Sequence, residues 1–180
     1  MTDAHWERRG TERGPSLFVA RVRYDTLVNP RNGHEMRCTV LEMPEWVNVV
    51  ALNEARELVL VRQYRFGTGA FSLEIPGGVV DPGEEPLAAA IRELREESGH
   101  TAERWSLLGS VEPNPAFQTN RCWHFLAEGA RSTHPQEMDP GEDITIETLP
   151  FDRIAEAVHS GRLAHSLVIA ALARVVDLRR

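Results

Sequence analysis

The chain has 180 residues, of which 42% are hydrophobic and 26% charged, with a formal net charge of −7 and a pI near 5.5. These values describe one soluble domain of ordinary size, or one domain with a small appendage, long enough to bury a core. The acidity argues against a surface that coats nucleic acid, yet it allows a small phosphate-bearing ligand held by local arginines or by a metal. The first twenty residues, with Asp3, Glu7, Arg8, Arg9 and Glu12, hold no apolar signal core, and the apolar run near the C-terminus is broken by Arg174. A cytoplasmic protein without a membrane span is therefore expected. Cys38 and Cys122 stand far apart without CxxC spacing, so buried thiols are expected ahead of a disulfide or a metal pair.

In chain order, the alternating runs Leu17 to Tyr24 and Met36 to Leu41 flank the turn-rich NPRNGHE and predict two strands of a small N-terminal sheet. Strands follow at Val47 to Leu52 and Leu58 to Arg65, joined by a turn at Asn53 to Arg56, and a short one at Ser72 to Ile75 ends at Pro76 before the Gly77-Gly78 turn. The period becomes helical from Glu85 to Ser98. Strands are expected at Trp105 to Glu112, Arg121 to Leu126 and Ile144 to Leu149, with a stiff PNPAFQTN loop between the first two. Gly129 to Asp143 is polar and turn-prone, a long loop of the kind that carries function. Helices close the chain at Phe151 to His159 and Leu163 to Leu178, parted by Ser160-Gly161. This order predicts an α/β (α+β) sandwich on a mixed sheet, not a doubly wound fold, with an N-terminal strand unit at 1–45 and the main domain at 46–180.

The stretch PGGVVDPGEEPLAAAIRELREESGH concentrates acidic residues behind a glycine-rich turn. At 100° per residue, Leu87, Ala90, Ile91, Leu94 and Ser98 form a core-facing stripe, and Glu93, Glu96 and Glu97 share the face beside it. Two carboxylates about 5 Å apart repel by roughly 3 kcal/mol at an effective dielectric near 20. A solvated acidic face balanced by Arg92 and Arg95 is one explanation. The other is a hard divalent cation such as Mg²⁺, which takes carboxylate oxygens, keeps waters and completes its shell with substrate phosphates. Gly77 and Gly78 allow close backbone approach to such an ion.

Gly78, Glu84, Arg92, Glu93, Leu94, Glu96, Glu97 and Gly99 match eight of the nine defined positions of the Nudix box, and the segment resembles that family's signature. His100, where the family has an aliphatic residue, is the departure. The resemblance implies a Nudix-type α/β/α sandwich; Mg²⁺, with Mn²⁺ as substitute, held by Glu93, Glu96, Glu97 and the Gly77 carbonyl; and a pairing of Glu84 with Arg92 that fixes loop to helix. The flanks VRQYR, LEIPGG, the proline loop and GEDI resemble those of ADP-ribose and nucleoside diphosphate sugar pyrophosphatases. For this chain that implies hydrolysis of the pyrophosphate bond to a nucleoside monophosphate and a sugar phosphate. Arg65 would contact phosphate or, on the plainer reading, form a salt bridge at the sheet edge; Glu74 would lie near metal or substrate, and Phe117 and Gln118 would meet the sugar end. The general base would come from the loop, with Glu142 ahead of Asp143 and Glu137. A homodimer is implied, with Phe18, Tyr24 and Trp46 as candidates to stack on the base or to serve as sheet core. Other readings are hydrolysis of nucleoside triphosphates or RNA 5′ ends, and a ligand-sensing domain without catalysis; no nucleic-acid or membrane partner is expected. His124, in a strand beside Trp123, is read as structural.

Overall fold

The structure is a computed structural model that describes residues 5–138 and 140–179, so Asp139, within the predicted loop, lies outside it. The chain divides into two compact units. The first comprises Met1–Pro44 with Glu112–Arg121, the second Glu45–Val111 with Cys122–Arg180.

In the first unit, strands β1 (Glu7–Ser16), β2 (Arg21–Val28) and β3 (Glu35–Glu42) form an antiparallel sheet in that order. The expected strand at Leu17 to Tyr24 is corrected: residues 17–20 form a turn, closed by Leu17 N–H to the Ala20 carbonyl at 2.7 Å, and β2 begins only at Arg21. Strand β1 had no hydrophobic alternation to reveal it. Polar contacts support it instead, through Thr11 to the buried Asp25 at 2.9 Å and Arg37 to Glu12 at 3.1 Å. Phe18, at the β1–β2 turn, is fully exposed, so the sheet-core reading does not hold for it. Tyr24 lies under the Arg37 guanidinium, 3.7 Å from the ring centroid. The proline loop joins this unit, with Leu41 N–H bonded to the Phe117 carbonyl at 2.7 Å and Thr119 N–H to the Leu41 carbonyl at 3.1 Å.

The second unit is built on a mixed sheet of β4 (Trp46–Asn53), β5 (Glu57–Arg65), β6 (Ala70–Glu74), β7 (His100–Thr101), β8 (Arg104–Val111), β9 (Cys122–Ser132) and β10 (Ile144–Pro150). Its path runs β10-β5-β4-β9-β7, with β6 on β5 and β8 on β9; β4 and β9 are parallel and the other pairs antiparallel. Because side chains alternate along a strand, β4 serves two cores. Val47, Val49 and Ala51 pack with Ala89, Ala90 and Leu94 of helix α1 (Pro86–Ser98), while Val50 and Leu52 pack with residues of α2 (Ile154–His159) and α3 (Ser166–Leu172). That is the sandwich the sequence predicts.

Three boundaries differ. Residues Phe151–Arg153 form a 3-10 turn before α2, because the chain leaves β10 through the extended Pro150. The last helix is α3 alone, far shorter than Leu163 to Leu178; Leu163 is buried ahead of it, and beyond Leu172 the chain tightens into turns such as Arg174 N–H to the Ala171 carbonyl. Strand β9 runs on to Ser132, where it pairs with the short β7, so the loop expected from Gly129 begins only at Thr133. Both cysteines are free thiols, and burial pushes that of Cys122 up to about 12. No helix among the described residues is long and apolar enough to cross a membrane.

Candidate active site

Helix α1 starts with Pro86 in its first turn and ends at Gly99, whose φ of 68° is the left-handed conformation suited to glycine. Its buried face is not the expected stripe. Ala89, Ala90, Leu94, Glu97 and Ser98 are buried, whereas Leu87 and Ile91 are 41% and 43% exposed. The two small alanines let the helix lie close on the sheet, so the contact arc centres near Ala90 and Leu94. On that wheel Glu97 sits only about 20° from Ala90. Its carboxylate therefore lies inside the buried face, not beside it.

The consequences are electrostatic. Glu97 is 3% exposed and accepts the Gly77 N–H at 2.9 Å. Burial pushes its carboxyl up to about 8, and the charges of Glu93 and Glu142 push the same way, against the Gly77 hydrogen bond and Arg65. Burial also raises Glu93, opposed by Arg92 and reinforced by Glu96 and Glu142. The fields of Glu97 and Glu142 both act on Arg65. Glu97 and Glu142 are thereby within electrostatic reach of each other and of both Glu93 and Arg65.

Arg92 organises the approach to this cluster. Its guanidinium donates to both oxygens of Glu84 at 3.0 and 2.9 Å, to the Val79 carbonyl at 2.9 Å, to Glu93 Oε1 at 2.8 Å and to Glu96 Oε2 at 3.2 Å. The hydrogen bonds to Glu84 are the largest reason its pKa rises further still above the ordinary arginine value. Glu84 also accepts the Asp81 N–H at 3.1 Å, so the pair ties the glycine turn to the helix. A side chain at Gly77 would run into backbone, and one at Gly78 would displace the Glu93 carboxylate. A Cβ on Gly77 would sit 2.2 Å from the Val47 carbonyl oxygen, and one on Gly78 2.4 to 2.6 Å from the Glu93 carboxylate.

Arg65, on β5, grips Glu74, on β6, with two bonds of 2.8 and 2.7 Å. Burial alone would raise the Glu74 carboxyl, but the Arg65 bonds and charge outweigh it and hold it below the usual value. His165 was not singled out in the sequence; its Nε2 lies 3.9 Å from the same carboxylate. Only the fold brings it there, from the residue preceding α3.

Glu137 forms an exposed ion pair with Arg95 at 3.3 Å, and Asp143 is exposed. Phe117 and Gln118 belong to the first unit, not to the one that carries the carboxylates. Trp46 is partly buried and bridges to Val79. His124 is fully buried, and burial lowers it to about 4, so it is a neutral core residue at physiological pH. His100, the departure from the box, turns its Nδ1 to the Ser98 carbonyl at 2.7 Å and thereby satisfies one of the orphan carbonyls at the end of α1.

The donor set at the glycine turn suits a hard divalent cation. It consists of carboxylate oxygens, and the cluster is short of positive charge: Glu97, raised to about 8, has no ion-pair partner in contact among the described residues. Among those residues, no three His, Cys, Asp or Glu side chains are already gathered as a metal cage. Arg92 engages one oxygen of Glu93 and Gly77 one of Glu97, so each of these two carboxylates presents a second, whereas Glu96 has Arg92 on one oxygen and Arg95 3.6 Å from the other.

The NUDIX domain profile matches residues 44–171. The chain is 32% identical over 177 residues to an ADP-ribose pyrophosphatase of Mycobacterium tuberculosis, covering 97% of this chain and 85% of that protein. It is 28% identical over 163 residues to a methanol dehydrogenase activator of Bacillus methanolicus, covering 90% and 88%. A crystal structure of an ADP compounds hydrolase superposes with a TM-score of 0.83 at 22% identity, covering 94% of this chain and 91% of that one.

Proposed function

The chain belongs to the NUDIX family and is a Nudix hydrolase, and from that premise we propose that it cleaves the pyrophosphate bond of ADP-ribose or of a nucleoside diphosphate sugar. What supports this most is the buried Glu97, bonded to the Gly77 N–H of the glycine turn and acted on by the charges of Glu93, Glu142 and Arg65. Glu93, Glu96, Glu97 and the Gly77 carbonyl would hold Mg²⁺, with Mn²⁺ as a substitute. The bound ion would polarise phosphate oxygens and lower the pKa of water.

The chain's own groups have separate tasks. Glu142 accepts the proton of the attacking water as its oxygen bonds to one phosphorus; the bridging P–O bond breaks, leaving a nucleoside monophosphate and a sugar phosphate. Arg65 faces phosphate, and its bidentate bond to Glu74 fixes the plane of the guanidinium. Arg92 and Glu84 hold the turn against the helix, which keeps the carboxylates aimed. Phe117 and Gln118 are assigned to the sugar end, and the molecule to a homodimer formed through its first unit.

The test is incubation with Mg²⁺ and ADP-ribose, ADP-glucose, GDP-mannose, UDP-glucose, dNTPs or 5′-triphosphorylated RNA, with products separated. Sugar-linked diphosphates are expected to turn over best. Preference for dNTPs or RNA would favour the triphosphate reading, and no hydrolysis of any would favour a sensor. Glu142→Gln is expected to lower kcat by about 10²-fold or more with KM nearly unchanged, and a change in KM alone would make Glu142 a binding residue.

A further inference from the structure

Backbone carbonyls in the last turn of a helix have no intrahelical partner and must find one elsewhere. At the end of α1 the segment after β9 supplies most of them. The Gly99 N–H satisfies the Arg95 carbonyl at 2.7 Å, and the Glu137 N–H reaches the Glu96 carbonyl at 2.9 Å. The Thr133 and His134 N–H groups both reach the Gly99 carbonyl, at 2.9 and 3.0 Å. The Glu97 carbonyl is taken by a side chain, Gln136 Nε2, at 2.6 Å. The same Nε2 lies 3.3 Å from the Ile144 carbonyl at the start of β10. Both partners are carbonyls, which only accept, so the amide nitrogen is fixed as the donor to each.

Glu142 lies between these anchors, two residues before Ile144. We propose that Gln136 is a positioning residue for Glu142: one side-chain amide bonds the backbone of the buried carboxylate Glu97 to the first residue of β10 and so sets where Glu142 stands against the carboxylate cluster. This rests on Glu142 being the general base. A base displaced by about 1 Å can lose up to 10²-fold in rate even when nothing else changes. The clamp thus joins the helix that carries the carboxylates and the loop that carries the base in one rigid register.

The test uses the full chain with Mg²⁺ and ADP-ribose. Gln136→Leu keeps the size and removes both donors; it is expected to lower kcat about tenfold or more, with KM changed less than about threefold. Gln136→Glu sets an acceptor against two carbonyls and is expected to be slower still. Because Gln136 acts through Glu142, the Gln136→Leu/Glu142→Gln double variant is expected to be no slower than Glu142→Gln alone. Hydrogen exchange of the Glu137 amide, bonded to Glu96, is expected to speed up in Gln136→Leu without turnover being involved. Full activity of Gln136→Leu, losses that multiply in the double variant, or unchanged exchange at Glu137 each overturn the inference. If Glu142→Gln turns over at the wild-type rate, the base assignment falls and the inference with it. An inactive Glu142→Gln beside a fully active Gln136→Leu removes the inference alone.

Discussion

Glu97 shows how a single residue can be placed correctly in a pattern and still be misjudged in environment. The box motif marks it as an acidic helix residue, and the wheel puts it at the border of the apolar stripe. Only the packing of Ala89 and Ala90 against the sheet rolls it under the helix to 3% exposure. Its carboxyl then titrates near 8 without a bound cation, far above an ordinary carboxylate. The sign follows from linkage: the folded state binds the proton more tightly, so this residue's contribution to stability is full below the ordinary carboxylate pKa and is lost as pH rises through about 8. In chelator, Glu97→Gln, whose amide oxygen can still accept the Gly77 N–H, is expected to melt several degrees above the wild type at pH 8. Toward pH 5 that advantage is expected to shrink to nothing. Mg²⁺ is expected to raise the wild type, not the variant, at pH 8. A variant less stable than the wild type at every pH would mean that the Glu97 carboxylate stabilises the fold.

At the scale of elements, the carboxylate helix was legible because its period, its glycine turn and its capping glycine are all written locally. The strap that caps it was not, since Thr133 to Glu137 carry no periodicity and their partners lie some forty residues back in the chain. Gly99 joins the two. Its φ of 68° is reached by non-glycine residues at roughly 1–2 kcal/mol, and a Cβ there would stand 2.1 Å from the His134 carbonyl oxygen. Backbone has to move, so Gly99→Ala is expected to lower Tm by about 5 °C or more and to slow turnover as the strap shifts away from the helix end. Gly161, at φ 76°, is the matched control, because a Cβ there meets nothing within 4 Å. Gly161→Ala is expected to cost only the backbone strain and leave kcat unchanged. Equal losses of activity in the two variants would mean that the strap does not matter.

Over the whole molecule, the two-faced core was legible from strands with strong apolar runs, while the first unit was only half legible. The runs Val47 to Leu52 and Leu58 to Val61 are apolar enough to announce buried strands, and their alternation already assigns Val49 and Val50 to opposite cores. Strand β1, with ERRGTERGPS and almost every residue exposed, carries no such signal and exists by pairing with β2. Its turn ends in Leu17, Phe18 and Val19, exposed by 53%, 104% and 51%, an apolar tip that leaves hydrophobic area in water. Burying one such side chain is worth about 1.5–3 kcal/mol, so three of them covered by a second copy would contribute a sizeable part of a dimer's binding energy. Replacing all three by Ser removes that gain while leaving the β2–β3 pairing and the second unit's cores untouched. The triple variant is expected to keep the wild-type melting profile at high dilution and to sediment as a monomer at concentrations where the wild type is a dimer. Equal sedimentation of the two as dimers would move the interface elsewhere, and a wild type that sediments as a monomer would remove the dimer from the proposal.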